Sequence, residues 1–275
     1  MLDTHEYSRS NIRRQLDERL PDLVCHHIVQ SVAVYDNTPN HGFYDTFDPR
    51  PCEGRVIDVD EKAFFVWEAE RRLHVVERAL ATHEPKVGDW VRVIPYIRRG
   101  FDGQRADEVN SPVKLPLPEP RCPQLSDMLG VMNNAKMPDG IRRLPHMLAD
   151  AGARDFRMED PEPDRIHETQ PLICFTVETQ KHSGQVRVFY GSKRDAFGIW
   201  LIRDGRGSHA ENYIPLNQLG QRLFELIDDG TWNRIVVEPI DMQLLLKRLK
   251  KLAADHGLPF SGLLALVDAV RRNRI

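Results

Sequence analysis

From Pro171 to Gly205 the chain reads PLICFTVETQKHSGQVRVFYGSKRDAFGIWLIRDG, in which apolar runs at Leu172–Glu178, Val186–Tyr190 and Phe197–Arg203 are parted by short polar breaks. Alternation of apolar and polar positions over such lengths predicts strands, and breaks built on His182-Ser183-Gly184 and Lys193-Arg194-Asp195 join antiparallel neighbours, so the stretch predicts a β-meander. One face carries Ile173, Phe175 and Val177, then Val186, Val188 and Tyr190, then Phe197, Ile199 and Leu201. That face needs a cover, and helical patterns after residue 215 supply one. Leu216, Leu219, Leu223, Leu226 and Ile227 form the stripe of PLNQLGQRLFELIDDG, with Pro215 suited to the first turn and Gly230 to the C-terminal cap. RIVVEPI then reads as a fourth strand, and helices MQLLLKRLKKLAADHG, capped by Asp241, and SGLLALVDAVRRNR, from Ser261, close the chain.

Upstream, residues 5–20 predict a short amphipathic helix through Ile12, Leu16 and Leu20. In Leu23–Tyr35 Val-rich character and helical spacing compete, so its type stays open; Asp36–Pro51 is a turn-rich loop whose Phe43, Tyr44 and Phe47 pin it to the β-rich segment beyond Gly54. There GRVIDVD, AFFVWEA and VGDWVRVIPYI read as β-runs, with RRLHVVERA between them as a third strand or a strand-to-helix transition. Short runs of this kind, with Gly88 free to kink the backbone and Val87, Val91 and Val93 turned inward, predict a small SH3-like or OB-like barrel over about residues 52–99. The proline-rich stretch 100–125 reads as a semi-rigid tether. Beyond it Ser126 caps a helix SDMLGVMNNA, a second helix IRRLPHMLADAG starts at Asp139 or Gly140 with Pro145 breaking or kinking it, and Asp155–Glu168 is an exposed acidic loop. The expected architecture is α+β: a helix and small barrel over 1–99, a linker over 100–125, and an antiparallel sheet covered by helices over 126–275.

Gly54-Arg55-Val56-Ile57 with Asp60, then Val75-Val76 and Leu80, then Val87-Gly88-Asp89-x-Val91-x-Val93-Ile94-x-Tyr96, resemble the KfrB-type domain of plasmid partition-region proteins and of the ends of some conjugative relaxases. The resemblance covers residues 54–96, with departures at Trp67-Glu68, where a polar pair is expected, and at Glu77, where histidine is common. It implies a mobile-element context and no particular chemistry, since that family has no settled activity.

With 275 residues, 41% hydrophobic and 29% charged, the composition is that of an ordinary globular protein of two domains. No apolar run approaches the roughly 20 residues of a membrane span. The charged start MLDTHEYSRSNIRRQLDERL lacks the apolar core of a signal peptide, which places the protein in the cytoplasm. Cys25, Cys52, Cys122 and Cys174 are scattered without zinc-site spacing, so they read as free thiols. The net charge of -3 is unlike the strongly basic balance of a dedicated DNA-binding domain, and any nucleic-acid contact must come from a local patch.

Three sets of side chains carry candidate chemistry. His182, Asp204, His209 and Glu211 fall in turns at one end of the meander, with His167 and Glu168 at the other, and the first four can converge as metal ligands or an acid/base pair. Lys181, Lys193, Arg194, Arg203 and Arg206, with Gly205-Arg206-Gly207-Ser208, form an anion-cradling loop; no Walker A or G-x-S-x-G pattern is present. Lys247, Arg248, Lys250 and Lys251 make a basic face on the first C-terminal helix, while GLLALVDAV is too apolar to read bases. The leading expectation is a non-catalytic accessory protein of a plasmid or mobile element that binds DNA or a DNA-bound complex. The alternatives are a metal-assisted hydrolase or nuclease using the loop residues, and a protein-interaction or inhibitor module that self-associates through its C-terminal helices.

Overall fold

The computed structural model describes residues 31–37, 50–68, 72–106, 112–191, 196–241 and 251. The predicted N-terminal helix, the aromatics Phe43, Tyr44 and Phe47, Cys25 and both C-terminal helices lie outside the described residues, apart from Lys251. The fold is mixed α+β. Its strands are β1 Ser31–Tyr35, β2 Cys52–Val59, β3 Ala63–Glu68, β4 Arg72–Glu77, β5 Trp90–Ile94, β6 Arg154–Glu159, β7 Leu172–Glu178, β8 Ser183–Gly191, β9 Ala196–Arg203, β10 Arg206–Ile214 and β11 Val236–Pro239. The described helices are α1 Pro123–Asn134, α2 Leu144–Asp150 and α3 Leu219–Ile227. The chain divides into two compact units, one holding β1–β5 and β11, the other spanning Ile97–Trp232.

In the first unit the four predicted runs form β2 to β5, but the sheet runs β1-β4-β3-β2-β5-β11 and is open. The closed SH3-like or OB-like barrel expected for 52–99 is therefore corrected. Its end strands come from outside that segment: β1 pairs parallel with β4, β11 pairs antiparallel with β5, and no ladder joins the two. The placement of β11 also corrects the reading of RIVVEPI as a strand of the meander's sheet. Ile235 and Val237 bury against Val91 and Val93, and alternation alone does not say which sheet a strand joins. Gly88 takes φ +99 as the expected kink requires, yet Val87 beside it is 62% exposed rather than inward. The run AFFV is buried on both faces, Phe64 and Val66 in one cluster and Ala63 and Phe65 in another. The Tyr35 hydroxyl donates to the Arg50 carbonyl at 2.8 Å, and the His74 ring pairs with Glu68 at 2.8 Å. Burial pushes the Cys52 thiol up to about 12, so it stays protonated and inert.

The second unit is a five-stranded antiparallel sheet, β10-β9-β8-β7-β6. Ile173, Phe175, Val177, Val186, Val188, Tyr190, Phe197, Ile199 and Leu201 share one face and pack with buried residues of α1, α2 and α3, so the predicted face and its helical cover are both present. Two loops prove to be strands. The segment from Asp155 begins in edge strand β6, and RGSHAENYI is β10 on the other edge. Both edges carry bulges, between Arg154 and Arg157 and at two places in β10, which twist an edge away from pairing with another chain. Pro123, not Ser126, opens α1, and Pro145 stands in the first turn of α2 instead of breaking it; a proline costs no hydrogen bond at either position.

Part of the predicted tether belongs to this core. Leu115 is 4% exposed and its N–H donates to Asn133 Oδ1 at 2.8 Å, while Cys122 is fully buried with its N–H on Asp160 Oδ1 at 2.9 Å. The residues before α2 form a polar node that the sequence reading missed. Asp139 accepts the N–H groups of Ile141 and Arg142, both at 2.8 Å. The Arg142 guanidinium, with no exposed side-chain surface, pairs with Asp139 at 2.9 Å, Asp150 at 3.0 Å and Asp228 at 2.9 Å and lies 3.9 Å over the Trp232 ring. No described helix is long and apolar enough to cross a membrane.

Candidate functional site

Of the four residues expected to converge, His209 and Glu211 meet, at 3.0 Å, while His182 and Asp204 are held in turns. His182 is 1% exposed: its backbone carbonyl accepts from the Thr179 N–H at 2.9 Å, and its ring Nε2 lies 3.2 Å from the Gln185 carbonyl oxygen. It locks the turn into β8. Desolvation holds its pKa below the ordinary 6.5. Because the folded value is depressed, its contribution to stability is full above 6.5 and is lost as pH falls through the folded value. His182→Gln should therefore show a smaller loss of stability than the unmodified chain between about pH 7.5 and about pH 5, as read by denaturant midpoints; equal losses would refute this.

Asp204 and Gly205 take φ 50 and 73 and close the β9–β10 hairpin between the paired Arg203 and Arg206. This is the two-residue Asp-Gly turn that strand twist favours, so the supposed anion loop is hairpin backbone. Ser208 is the extra residue of the first β10 bulge and its hydroxyl donates to the Leu201 carbonyl at 3.1 Å. Lys181 Nζ donates to the Glu225 carbonyl at 3.1 Å, and Arg203 donates to the Lys181 carbonyl at 3.5 Å. His209 and Glu211 lie further along β10, opposite Leu201 and Ile199. Their side chains touch at 3.0 Å, and Glu211 accepts two bonds from Arg222 of α3 at 2.9 and 2.5 Å. Those bonds, above all, hold the Glu211 carboxyl below its usual range. The pair staples an edge strand to a helix. Among the described residues no three His, Cys, Asp or Glu side chains gather as a metal site. Arg206 is exposed at the start of β10 and Lys251 is exposed; Lys193, Arg194, Lys247, Arg248 and Lys250 lie outside the described residues.

What the sheet does assemble is on its other face. Cross-strand pairing sets Arg157, Cys174, Arg187, Trp200 and Ala210 side by side across all five strands. No described helix covers this row, and Trp200 is 40% exposed. The next row runs Glu159, Leu172, Phe189 and Gly198. A Cβ on Gly198 would lie 2.2 Å from Phe189 Cζ, so only glycine lets that ring lie flat on the sheet. Phe189 in turn supports Trp200, with centroids 4.9 Å apart and planes tilted by 59°. Arg187 is aimed by its Nε–H bond to Gln185 Oε1 at 2.7 Å. Beside Trp200 lies a groove of about 500 Å³ lined by Arg187, Ile202, Gly207, Ser208, His209 and Ala210. Burial raises the Cys174 thiol pKa, with Arg187 and Arg157 opposing, so the thiol in the row is a neutral group. The signal for this face was in the sequence: Trp200 alternates with Ile199 and Leu201, which places a large aromatic outward.

The fold is α+β, and among the described residues no helix covers the face of β6–β10 that carries this row. Comparison with known proteins found no matching family model, curated protein or solved structure.

Proposed function

We propose that this protein is a non-catalytic accessory protein of a plasmid or other mobile element that binds single-stranded DNA across the open face of β6–β10. The observation that carries the reading is the aromatic and basic row: Trp200, propped on Phe189, stands beside Arg187, with Arg157 two strands further on. An exposed ring on a sheet stacks a base of any sequence, and guanidinium groups beside it take the phosphates. The mobile-element context rests on the resemblance of residues 54–96 to the KfrB-type domain. A net charge of -3 makes the affinity modest and sensitive to salt. The hydrolase reading loses support because His182 and Asp204 are committed to turns and Glu211 to Arg222.

Anisotropy titrations of a labelled oligothymidylate at several salt concentrations test this. Trp200→Ala should weaken binding by about 5- to 150-fold, the equivalent of about 1–3 kcal/mol of base stacking, at an unchanged salt slope. Arg187→Gln should lower the slope by about 0.7. No binding at low salt, or unaltered binding by Trp200→Ala, would overturn the proposal.

A further inference from the structure

The second bulge of β10 opens a hollow at the far end of the sheet. Glu211 pairs with Ile199 and Ile214 with Phe197, so Asn212 and Tyr213 together stand against the single residue Gly198. Tyr213 is held at φ 69 and is 53% exposed, a conformation that costs a bulky side chain free energy and is kept where surroundings impose it. Between these two residues and the end of β7's lead-in loop lies a cavity of about 410 Å³. Its apolar wall is Phe189, Tyr190 and Phe197, and its polar rim includes Glu168, Gln170 and Asn212. Phe189 belongs to this wall and also packs against Trp200, so the hollow continues the row described above.

The charge of the lining restricts what enters. Among the described lining residues Glu168 is the one carboxylate and His167 the one basic side chain, with neither lysine nor arginine. The Glu168 carboxylate repels a phosphate group and favours a planar, neutral ring with N–H donors on its edge. A carboxylate only accepts, through two oxygens side by side. Guanine presents two adjacent donors, the ring N1–H and the 2-amino group, and matches both oxygens. Adenine and cytosine present an amino group next to a ring acceptor, which a carboxylate repels, and thymine presents one N–H between two carbonyls. The amides of Gln170 or Asn212 are of the right kind to donate to the guanine carbonyl. The aromatic wall and Tyr213 supply stacking surface, as in sites that read bases splayed from a single strand.

We infer that this hollow is a guanine pocket, taking one base of a strand that lies on the open face; for the strand, though not for the base, the inference rests on the reading of that face as a DNA surface. Titration of an oligothymidylate against the same oligomer with one internal guanine should show about tenfold tighter binding of the latter, the scale of one bidentate base contact, and no gain from an internal adenine. Glu168→Gln should bring the ratio of the two affinities to about one. Free guanosine, which has no phosphate, should bind saturably by calorimetry and lose that binding in Glu168→Gln. Equal affinity for the two oligomers, with oligothymidylate still bound, would overturn the pocket and leave the open face standing. Saturable guanosine binding abolished by Glu168→Gln, without any oligomer binding, would support the pocket and overturn the face. Silence from every ligand would overturn both.

Discussion

Replacing Arg142 by methionine should cost the Ile97–Trp232 unit about 3–5 kcal/mol, the loss expected when one partner of a buried charge network is removed. The side chain is fully buried and neutralises Asp139, Asp150 and Asp228, which are themselves nearly buried. Methionine keeps most of the volume but leaves three carboxylates facing one another, each desolvated and repelling the others. Lysine should not rescue it, because an ammonium on a flexible stem cannot make three divergent contacts and cover the Trp232 ring at 3.9 Å as a planar guanidinium does. Denaturant midpoints followed by tryptophan fluorescence give the measurement. A loss below about 1 kcal/mol would mean that water reaches the node and screens it.

Gly198→Ala should damage both the fold and the proposed DNA surface. The new methyl would lie 2.2 Å from Phe189 Cζ and within 2.8 Å of both Cε atoms, so the ring must leave the sheet. Overpacking of this kind costs about 1–3 kcal/mol. Moving Phe189 removes the support 4.9 Å beneath Trp200 and reshapes the wall of the adjoining hollow. Oligothymidylate affinity should fall as far as in Trp200→Ala while far-ultraviolet circular dichroism stays native-like. Combining Gly198→Ala with Phe189→Leu should restore part of the stability, because the smaller side chain vacates the space, so the two changes should be non-additive. Unchanged stability and unchanged binding in Gly198→Ala would show that the ring is not held flat.

The meander was legible because its chemistry is local. In β7, β8 and β9 every second residue is apolar and the buried set is the one alternation names, from Ile173 to Leu201. The stripe of α3 was legible for the same reason. RGSHAENYI, in contrast, has no apolar alternation and became a strand only because β9 offers it an edge. The candidate site suffered more. His182, Asp204, His209 and Glu211 are the residue types that chemistry uses, but the same types also fix turns and staple edges, as the Thr179, Gly205 and Arg222 contacts show. Arg157, Cys174, Arg187 and Trp200 were overlooked because they lie far apart in sequence and become neighbours only through register.

By itself the sequence determined the periodicities: that β2, β3, β5 and β7 to β9 are strands, which face of the meander is apolar, and which stripe of α3 is buried. The tertiary structure decided the partners. It assigned β11 to the edge of β5, took Leu115 and Cys122 from a proline-rich stretch into a core, gathered three carboxylates around Arg142, and lined up two guanidiniums with a supported tryptophan. The physical reason is that hydrophobic burial is non-directional. A pattern tells each segment to hide one side, whereas hydrogen-bond register and charge pairing between distant segments decide against what it hides and what is left on the other side.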